Sequence, residues 1–218
     1  MQIETAIFAI AVLVFSVIIH EISHGYMAGF LGDPTARLAG RLTLNPAKHL
    51  DPLGSIIIPA LLALSPGGFI IGWAKPVPYN PYNLKNQRWG DALVSGAGPA
   101  SNIGIAIIFS IIMRVGIAFG FLSSTLVQAI SLIVLINLVL AIFNLIPIPP
   151  LDGSKILMSV LSYNQRNKFL QFQDIFLRFG FLGMVVFIFI FIYLLWPFFS
   201  AFISFLFTLL TGISGLGI

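Results

Sequence analysis

No cysteine occurs anywhere in the 218 residues. Disulfides and thiolate metal ligands are therefore excluded, and any metal must be held by histidine, aspartate or glutamate. Charge is almost as scarce. Asp, Glu, Lys and Arg make up 8% of the chain, 58% is hydrophobic and the mean hydropathy is +1.03, whereas soluble domains carry about 25% charged residues. That excludes a soluble globular fold and predicts an integral membrane protein. The formal charge of +4 comes without any Lys/Arg cluster, so nucleic acid is not an expected partner; in a membrane chain such a surplus belongs to cytoplasmic loops. The N-terminus lacks a basic region and no small-residue cleavage pattern precedes the first polar motif, so the first apolar stretch reads as mature protein and not as a signal peptide. Nor does any motif occur twice, as the internal repeats of a transporter would require.

Against this background one polar cluster stands out, His20-Glu21-Ile22-Ser23-His24, set inside the apolar run Thr5 to Leu31. The run is long enough to cross ~30 Å of hydrocarbon with some tilt, and Gly32-Asp33-Pro34 stops it. On a helix His20 and His24 lie one turn apart on one face, so both imidazoles can bind one zinc ion. Glu21 is turned by ~100° from His20, beside the metal and not on it, where a carboxylate can take the proton of an attacking water. The cluster sits ~17 Å of helix rise from Leu31, a depth water can reach. Three ionisable groups in five residues of a span are costly unless something pairs them, and a metal ion does so.

Further on, Leu53 to Trp73 is apolar but broken by Pro59 and by Ser65-Pro66-Gly67-Gly68. If it crossed the membrane, Arg37, Arg41 and Lys48 would lie opposite Lys75, Lys85 and Arg88; if it dips in and returns, all six share one side, as the positive-inside rule prefers. A re-entrant element is expected, followed by an extended strand over Phe69 to Tyr79 that Pro76 and Pro78 blunt. Ala92 to Met113 is the next span, with Gly96, Ala100 and Gly104 as a small-residue stripe for close helix approach. A turn over Arg114 to Ser124 leads to the span Thr125 to Ile146, which carries Asn137 and Asn144 on nearly one face. Three prolines in Pro147-Ile148-Pro149-Pro150 then unwind the chain near the membrane, tolerated where backbone is buried in protein or lines a wet cavity. Ser154 to Leu161 reads as a short helix, and Asn164 to Arg178 as an interfacial amphipathic helix with Phe169, Phe172, Phe176 and Phe179 opposite Gln165, Lys168, Gln171 and Asp174. Phe179 to Gly212 is apolar for more than one span's length, marked by Pro197. With a re-entrant second element, all Lys/Arg except Arg114 fall on one side, which should be the cytoplasm.

Two histidines need a third protein ligand if a fourth position is to be left for water. Asp33 and Asp51 lie in loops, Asp91 opens a helix, Asp174 belongs to the amphipathic stretch and Glu4 is at the wrong end of its span. Asp152 alone ends an apolar span in an unwound segment; its alternative role is to cap the short helix that follows. Zn²⁺ with Asp152 and Glu21 ionised and both histidines neutral is formally uncharged, which eases burial. His49 reads as an ordinary loop histidine, and Asn102 and Asn137 as packing residues.

In order and content, His20-Glu21-Ile22-Ser23-His24, Gly40-Arg41-Leu42-Thr43-Leu44-Asn45-Pro46, Gly72-Trp73-Ala74-Lys75-Pro76-Val77-Pro78, Gly96-Ala97-Gly98-Pro99-Ala100-Ser101-Asn102 and Asn144 to Gly153 resemble the site-2 proteases, intramembrane zinc metalloproteases. The resemblance implies one zinc ion per chain held by His20, His24 and Asp152, Glu21 as general base, and Asn144 at the substrate carbonyl or its oxyanion. It departs from many members in having no PDZ or CBS segment and in beginning at the motif-bearing helix, so a minimal form is expected. The fold expected is an all-α polytopic membrane protein, a transmembrane helix bundle with a small re-entrant or β element between the first two core spans. It forms a single domain over 1–218, with a catalytic core over about 5–161 and a C-terminal amphipathic and transmembrane region over about 164–218. The expected activity is zinc metalloendopeptidase action within or near transmembrane segments of membrane-protein or membrane-peptide substrates, with regulated intramembrane proteolysis as its setting. Phe69, Ile70, Ile71 and Gly72 would pair with the unwound substrate by β-augmentation. The expected setting is a multi-pass protein of the cell membrane, in contact with lipid, its active site facing the cytoplasmic side and oligomerisation left open. The alternatives are a catalytically silent zinc-binding membrane protein and a zinc- or proton-coupled transporter.

Overall fold

In the computed structural model, residues 3–51, 74–178, 180 and 190–213 are described. They form seven α-helices: α1 Ile3–Phe30, α2 Thr35–Leu38, α3 Gly90–Ala118, α4 Ser124–Asn144, α5 Asp152–Val160, α6 Tyr163–Arg178 and α7 Trp196–Thr211. A turn of π-helix, Phe191–Leu195, leads into α7, whose Pro197 sits in the first turn, where its missing N–H costs nothing. No strand occurs among the described residues. Ile3–Phe30, Gly90–Ala118, Ser124–Asn144 and Tyr193–Thr211 are long and apolar enough to cross a membrane, so the chain is an all-α polytopic membrane protein. Its helices are apolar on their outer faces as well: Ile3, Ile7 and Ile10 on α1 and Ile108 and Ile111 on α3 are exposed, as lipid-facing side chains must be.

The helix ends follow local chemistry. Ser123 caps α4 by accepting from the Leu126 amide at 3.3 Å. Gly32 (φ 109°) and Gly212 (φ 78°) take the left-handed conformations that turn the chain after α1 and α7. Ala106 and Met113 of α3, Ile130, Val134 and Leu138 of α4 and Ile203 and Phe207 of α7 make the largest apolar core; α1 packs on α3 and α4 beside it.

Arg114 does not start a turn. Helix α3 runs through it to Ala118, and the guanidinium donates to the Leu209 and Leu210 carbonyls at 2.6 Å each. An arginine is thus spent on the negative end of α7, where the last carbonyls lack helical donors. The small-residue stripe also behaves differently from expectation. Among the described residues, Gly104 has no heavy atom near its missing Cβ and Gly96 meets only Ile156 at 3.9 Å; close approach occurs instead on the face of Gly98, described below.

On the opposite side, Asp33 ties α1 to the loop before α3. Its carboxylate accepts from the Thr35 hydroxyl at 2.5 Å, the Thr35 amide at 3.2 Å, the Asn80 amide at 2.7 Å and Asn83 Nδ2 at 2.8 Å. Burial pushes its pKa up, but these donors prevail and hold it below the usual carboxylate range. The Lys75 amide donates to the His49 carbonyl at 2.8 Å, so the two flanks of 52–73 meet. The expected re-entrant element and Phe69, Ile70, Ile71 and Gly72 lie outside the described residues. Of the strand expected over Phe69 to Tyr79, residues 74–79 are described and carry no ladder. The physical reason is a shortage of donors: Pro76 and Pro78 have no N–H, the Lys75 amide goes to His49, and the Val77 amide donates to Glu21 Oε2 at 2.8 Å.

Candidate metal centre

His20 and His24 are buried on α1, 6% and 8% exposed, with rings 4.6 Å apart and perpendicular. Each ring is fixed through Nδ1. His20 Nδ1 lies 2.7 Å from Asn102 Oδ1 and His24 Nδ1 lies 2.7 Å from the Val94 carbonyl, both acceptors on α3. The orientation of Asn102 is set in turn, because its Nδ2 donates to Asn137 Oδ1 at 2.8 Å and the Ser16 carbonyl at 3.3 Å. Asn137 Nδ2 donates to Ser16 Oγ and the Ile133 carbonyl, each at 2.9 Å. Both Nδ1 atoms therefore carry a proton, which in the neutral imidazole leaves Nε2 as the ligating atom of each ring.

Those Nε2 atoms face a carboxylate. Asp152 Oδ2 lies 3.1 Å from His20 Nε2 and 3.3 Å from His24 Nε2, and all three ligand atoms fall within 4.8 Å of one another. With both rings neutral, three acceptors converge without a donor and repel unless a cation stands between them. A tetrahedral zinc ion with bonds of ~2.0–2.1 Å sets its ligand atoms about 3.3 Å apart. The donor set and its spacing fit that ion.

Local sequence explains how a residue 132 positions from His20 arrives there. After α4, Leu151 (ψ 153°) provides an extended entry into α5, and Asp152 opens that helix. Asp152 is thus the first helical residue and not part of the unwound segment that the sequence suggests. A Cβ on Gly153 would overlap the Leu145 backbone, so only glycine allows α5 to fold back this tightly on the end of α4. The Ser154 hydroxyl returns to the Leu151 carbonyl at 2.8 Å and holds the turn. Gly98 does the same service on α3: a Cβ there would stand 2.5 Å from His24 Cε1 and 2.6 Å from His20 Nε2.

Around the triad lies a cavity of about 360 Å³ whose wall includes Glu21 and Asn144. Glu21 Oε2 is held by the Val77 amide. Asn144 Nδ2 donates back to the Leu140 carbonyl at 2.9 Å. On the same wall, the Tyr79 hydroxyl donates to Asp91 Oδ1 at 2.7 Å and accepts from Lys155 Nζ at 3.1 Å. Burial and the Asp91 carboxylate hold the Tyr79 phenol well above its ordinary pKa, hence protonated.

The structure brings together His20, His24 and Asp152, with Glu21 and Asn144 on the same cavity. His49 stays in its loop, Nε2 donating to the Thr43 carbonyl at 2.8 Å. Asn102, Asn137, Gly98 and Lys155 were not legible as site residues. The signal for the asparagines was their presence in apolar spans, where an amide must find a partner, but spacing does not say that the partner is a metal-ligating histidine.

Comparison with known proteins gives a consistent set. Residues 119–187 match the model of peptidase family M50. The chain is 39% identical over 204 residues to "Putative zinc metalloprotease YwhC" of Bacillus subtilis, covering 89% of this chain and 86% of that protein. It is 33% identical over 159 residues to "Putative zinc metalloprotease Rip2" of Mycolicibacterium smegmatis, covering 67% of this chain and 54% of that protein. A shorter match, 34% over 103 residues, reaches "Putative zinc metalloprotease MJ0611" of Methanocaldococcus jannaschii, 47% of this chain and 50% of that protein. No solved structure matches.

Proposed function

Because the chain belongs to peptidase family M50, the site-2 protease family of multi-pass zinc metalloproteases, we propose that it is an endopeptidase that cuts within or beside transmembrane segments of membrane proteins or membrane peptides. The observation that carries this reading is the meeting of two imidazole nitrogens and the Asp152 carboxylate in a cavity that Glu21 also lines. His20, His24 and Asp152 would hold one zinc ion per chain. Bound there, the ion supplies Lewis acidity, bringing the pKa of a water to about 7 and polarising a carbonyl.

The protein's own groups do the rest. Glu21, anchored through Oε2, accepts the water proton at Oε1 and delivers it to the leaving amine. Asn144 gives up its bond to the Leu140 carbonyl and donates to the substrate carbonyl as negative charge develops there. A helical substrate hides its amides in internal hydrogen bonds, so it must unwind. Residues Phe69, Ile70, Ile71 and Gly72 receive it by backbone pairing; proline substitutions there should suppress cleavage while zinc content holds. The catalytic unit is about 5–161, and 164–218 is its membrane-bound C-terminal region. The chain resides in the cell membrane with the site open to the cytoplasm and acts in regulated intramembrane proteolysis. Self-association is left to measurement.

The test is cleavage of a model transmembrane peptide by purified, detergent-solubilised protein with zinc quantified. One zinc per chain is expected, with Glu21→Gln keeping the metal and losing about 10²–10⁴-fold in rate. Cleavage by Glu21→Gln at the wild-type rate, or turnover without zinc, would sink the reading.

A further inference from the structure

One wall of the metal cavity carries more hydrogen-bond donors than acceptors. Lys155 lies three residues beyond Asp152 on α5, hence on nearly the same helix face, and it lines the cavity. Its ammonium is held over the Tyr79 ring, 5.0 Å from the centroid, and among the described residues it donates once, to the Tyr79 hydroxyl. An ammonium has three N–H donors, so two are left. Tyr79 cannot take a second role as donor, because its hydrogen goes to Asp91. Beside it, Ser95 is 1% exposed and lines the same cavity; its hydroxyl faces the Tyr79 oxygen but has no partner in good hydrogen-bond geometry among the described residues. A buried hydroxyl without a partner is uncommon and marks a place where something else supplies the acceptor.

Charge agrees with the donor surplus. With zinc in place and His20 and His24 neutral, Asp152 and Glu21 cancel the ion, and Lys155 is the one cation among the described residues that line the cavity; its counter-charge Asp91 stands across the Tyr79 hydroxyl, outside the lining. The vacant bonding capacity is therefore cationic and donor-rich, the complement of a carboxylate. A neutral carbonyl would satisfy Ser95 but give the ammonium no charged partner inside the cavity.

We infer that Lys155 and Ser95 form a carboxylate-binding subsite beside the metal centre, with Tyr79 and Asp91 positioning the lysine. The carboxylate comes from an acidic side chain near the scissile bond or from the C-terminus of a segment already cut. The subsite rests on the protease reading for its occupant, but its chemistry can be read without any cleavage.

The experiment uses the full chain as zinc-loaded Glu21→Gln in detergent and measures binding of dansyl-labelled transmembrane peptides by fluorescence. One series places Glu at successive positions of a glycine-containing centre, against the same series with Gln. A second ends the peptide at that centre in a free carboxylate, against a carboxamide. The carboxylate member of at least one series should bind about tenfold or more tighter, as for a charge-assisted hydrogen bond, and the series that shows it identifies the source. Lys155→Met should bring that ratio close to one, and Ser95→Ala should lower it part of the way, both with zinc retained. Equal binding of acid and amide in both series, or a preference that survives both substitutions, overturns the subsite. A carboxylate preference in a protein whose wild type cuts no peptide would instead remove the protease reading and leave the subsite standing.

Discussion

His20 and Asn102 are joined by a 2.7 Å hydrogen bond that runs from a metal-facing ring on α1 to an amide on α3. The bond fixes the proton on Nδ1 and aims Nε2 at Asp152. Because Asn102 is itself held by Asn137 and Ser16, three spans contribute to the aim of one nitrogen. Asn102→Ala should lower zinc affinity by about 10–100-fold, the usual cost of losing a partner behind a metal ligand. Asn137→Ala should give a smaller loss, because Asn102 keeps the Ser16 carbonyl. Competition with a zinc-selective chelator measures both. Equal affinity in wild type and Asn102→Ala would mean that packing alone orients His20.

Gly98 and Gly104 make a matched pair on α3. A methyl at 98 collides with both histidine rings, whereas a methyl at 104 meets nothing within 4 Å among the described residues. Overpacking of this kind costs about 1–3 kcal/mol, and here the atoms that must yield are the metal ligands. Gly98→Ala should lose most of its zinc and melt earlier. Gly104→Ala should keep its zinc and be neutral or up to about 1 kcal/mol more stable from helix propensity. Metal analysis with thermal melts in detergent checks the pair, and the same outcome at both positions would contradict the geometry.

Membrane class, the spans and the candidate ligands are legible in sequence because each rests on one strong constraint. Apolar length gives the spans, and a buried His-Glu-x-x-His cluster demands a cation. Asp152 follows from the absence of cysteine and the exclusion of other carboxylates. What stays illegible depends on rotation about a helix axis and on partners far away in the chain. Gly96, Ala100 and Gly104 form a clear periodic stripe, yet the contact face passes through Gly98, because the two histidines of α1 and not general helix packing select it. Arg114 reads as a loop charge until the end of α7, 95 residues later, is seen to need it. Pro76 and Pro78 suggest the blunted edge of a strand, but nothing local says that the amide between them belongs to Glu21.

Asp33 predicts a pH dependence separate from that of the metal site. Its carboxylate ionises below the ordinary value in the folded chain, so the anion stabilises the fold. Taking ~3.9 for the unfolded chain, the contribution is complete above that pH and fades as pH falls through the lower folded value. Asp33→Asn cannot accept from four donors in the same way and should cost about 1–3 kcal/mol near neutrality. The gap between wild type and Asp33→Asn in thermal melts should stay constant down to about pH 5 and narrow only under stronger acid, below ~3.9. A gap that narrows around pH 6 would assign the effect to histidine instead.

Val77 links the loop before α3 to the proposed general base. Its amide donates to Glu21 Oε2, 2.8 Å away, from between two prolines that can donate nothing. Val77→Pro removes this one N–H and leaves His20, His24 and Asp152 intact, while Val77→Ala keeps the N–H and tests for lost packing of a side chain that is 5% exposed. If the amide holds Glu21 in line, Val77→Pro should lower kcat about tenfold or more through a misplaced base, with zinc affinity close to wild type. Val77→Ala should retain most of the rate. Loss of zinc in Val77→Pro would show that the loop supports the metal site as a whole, and equal rates in the two variants would show that Glu21 needs no anchor.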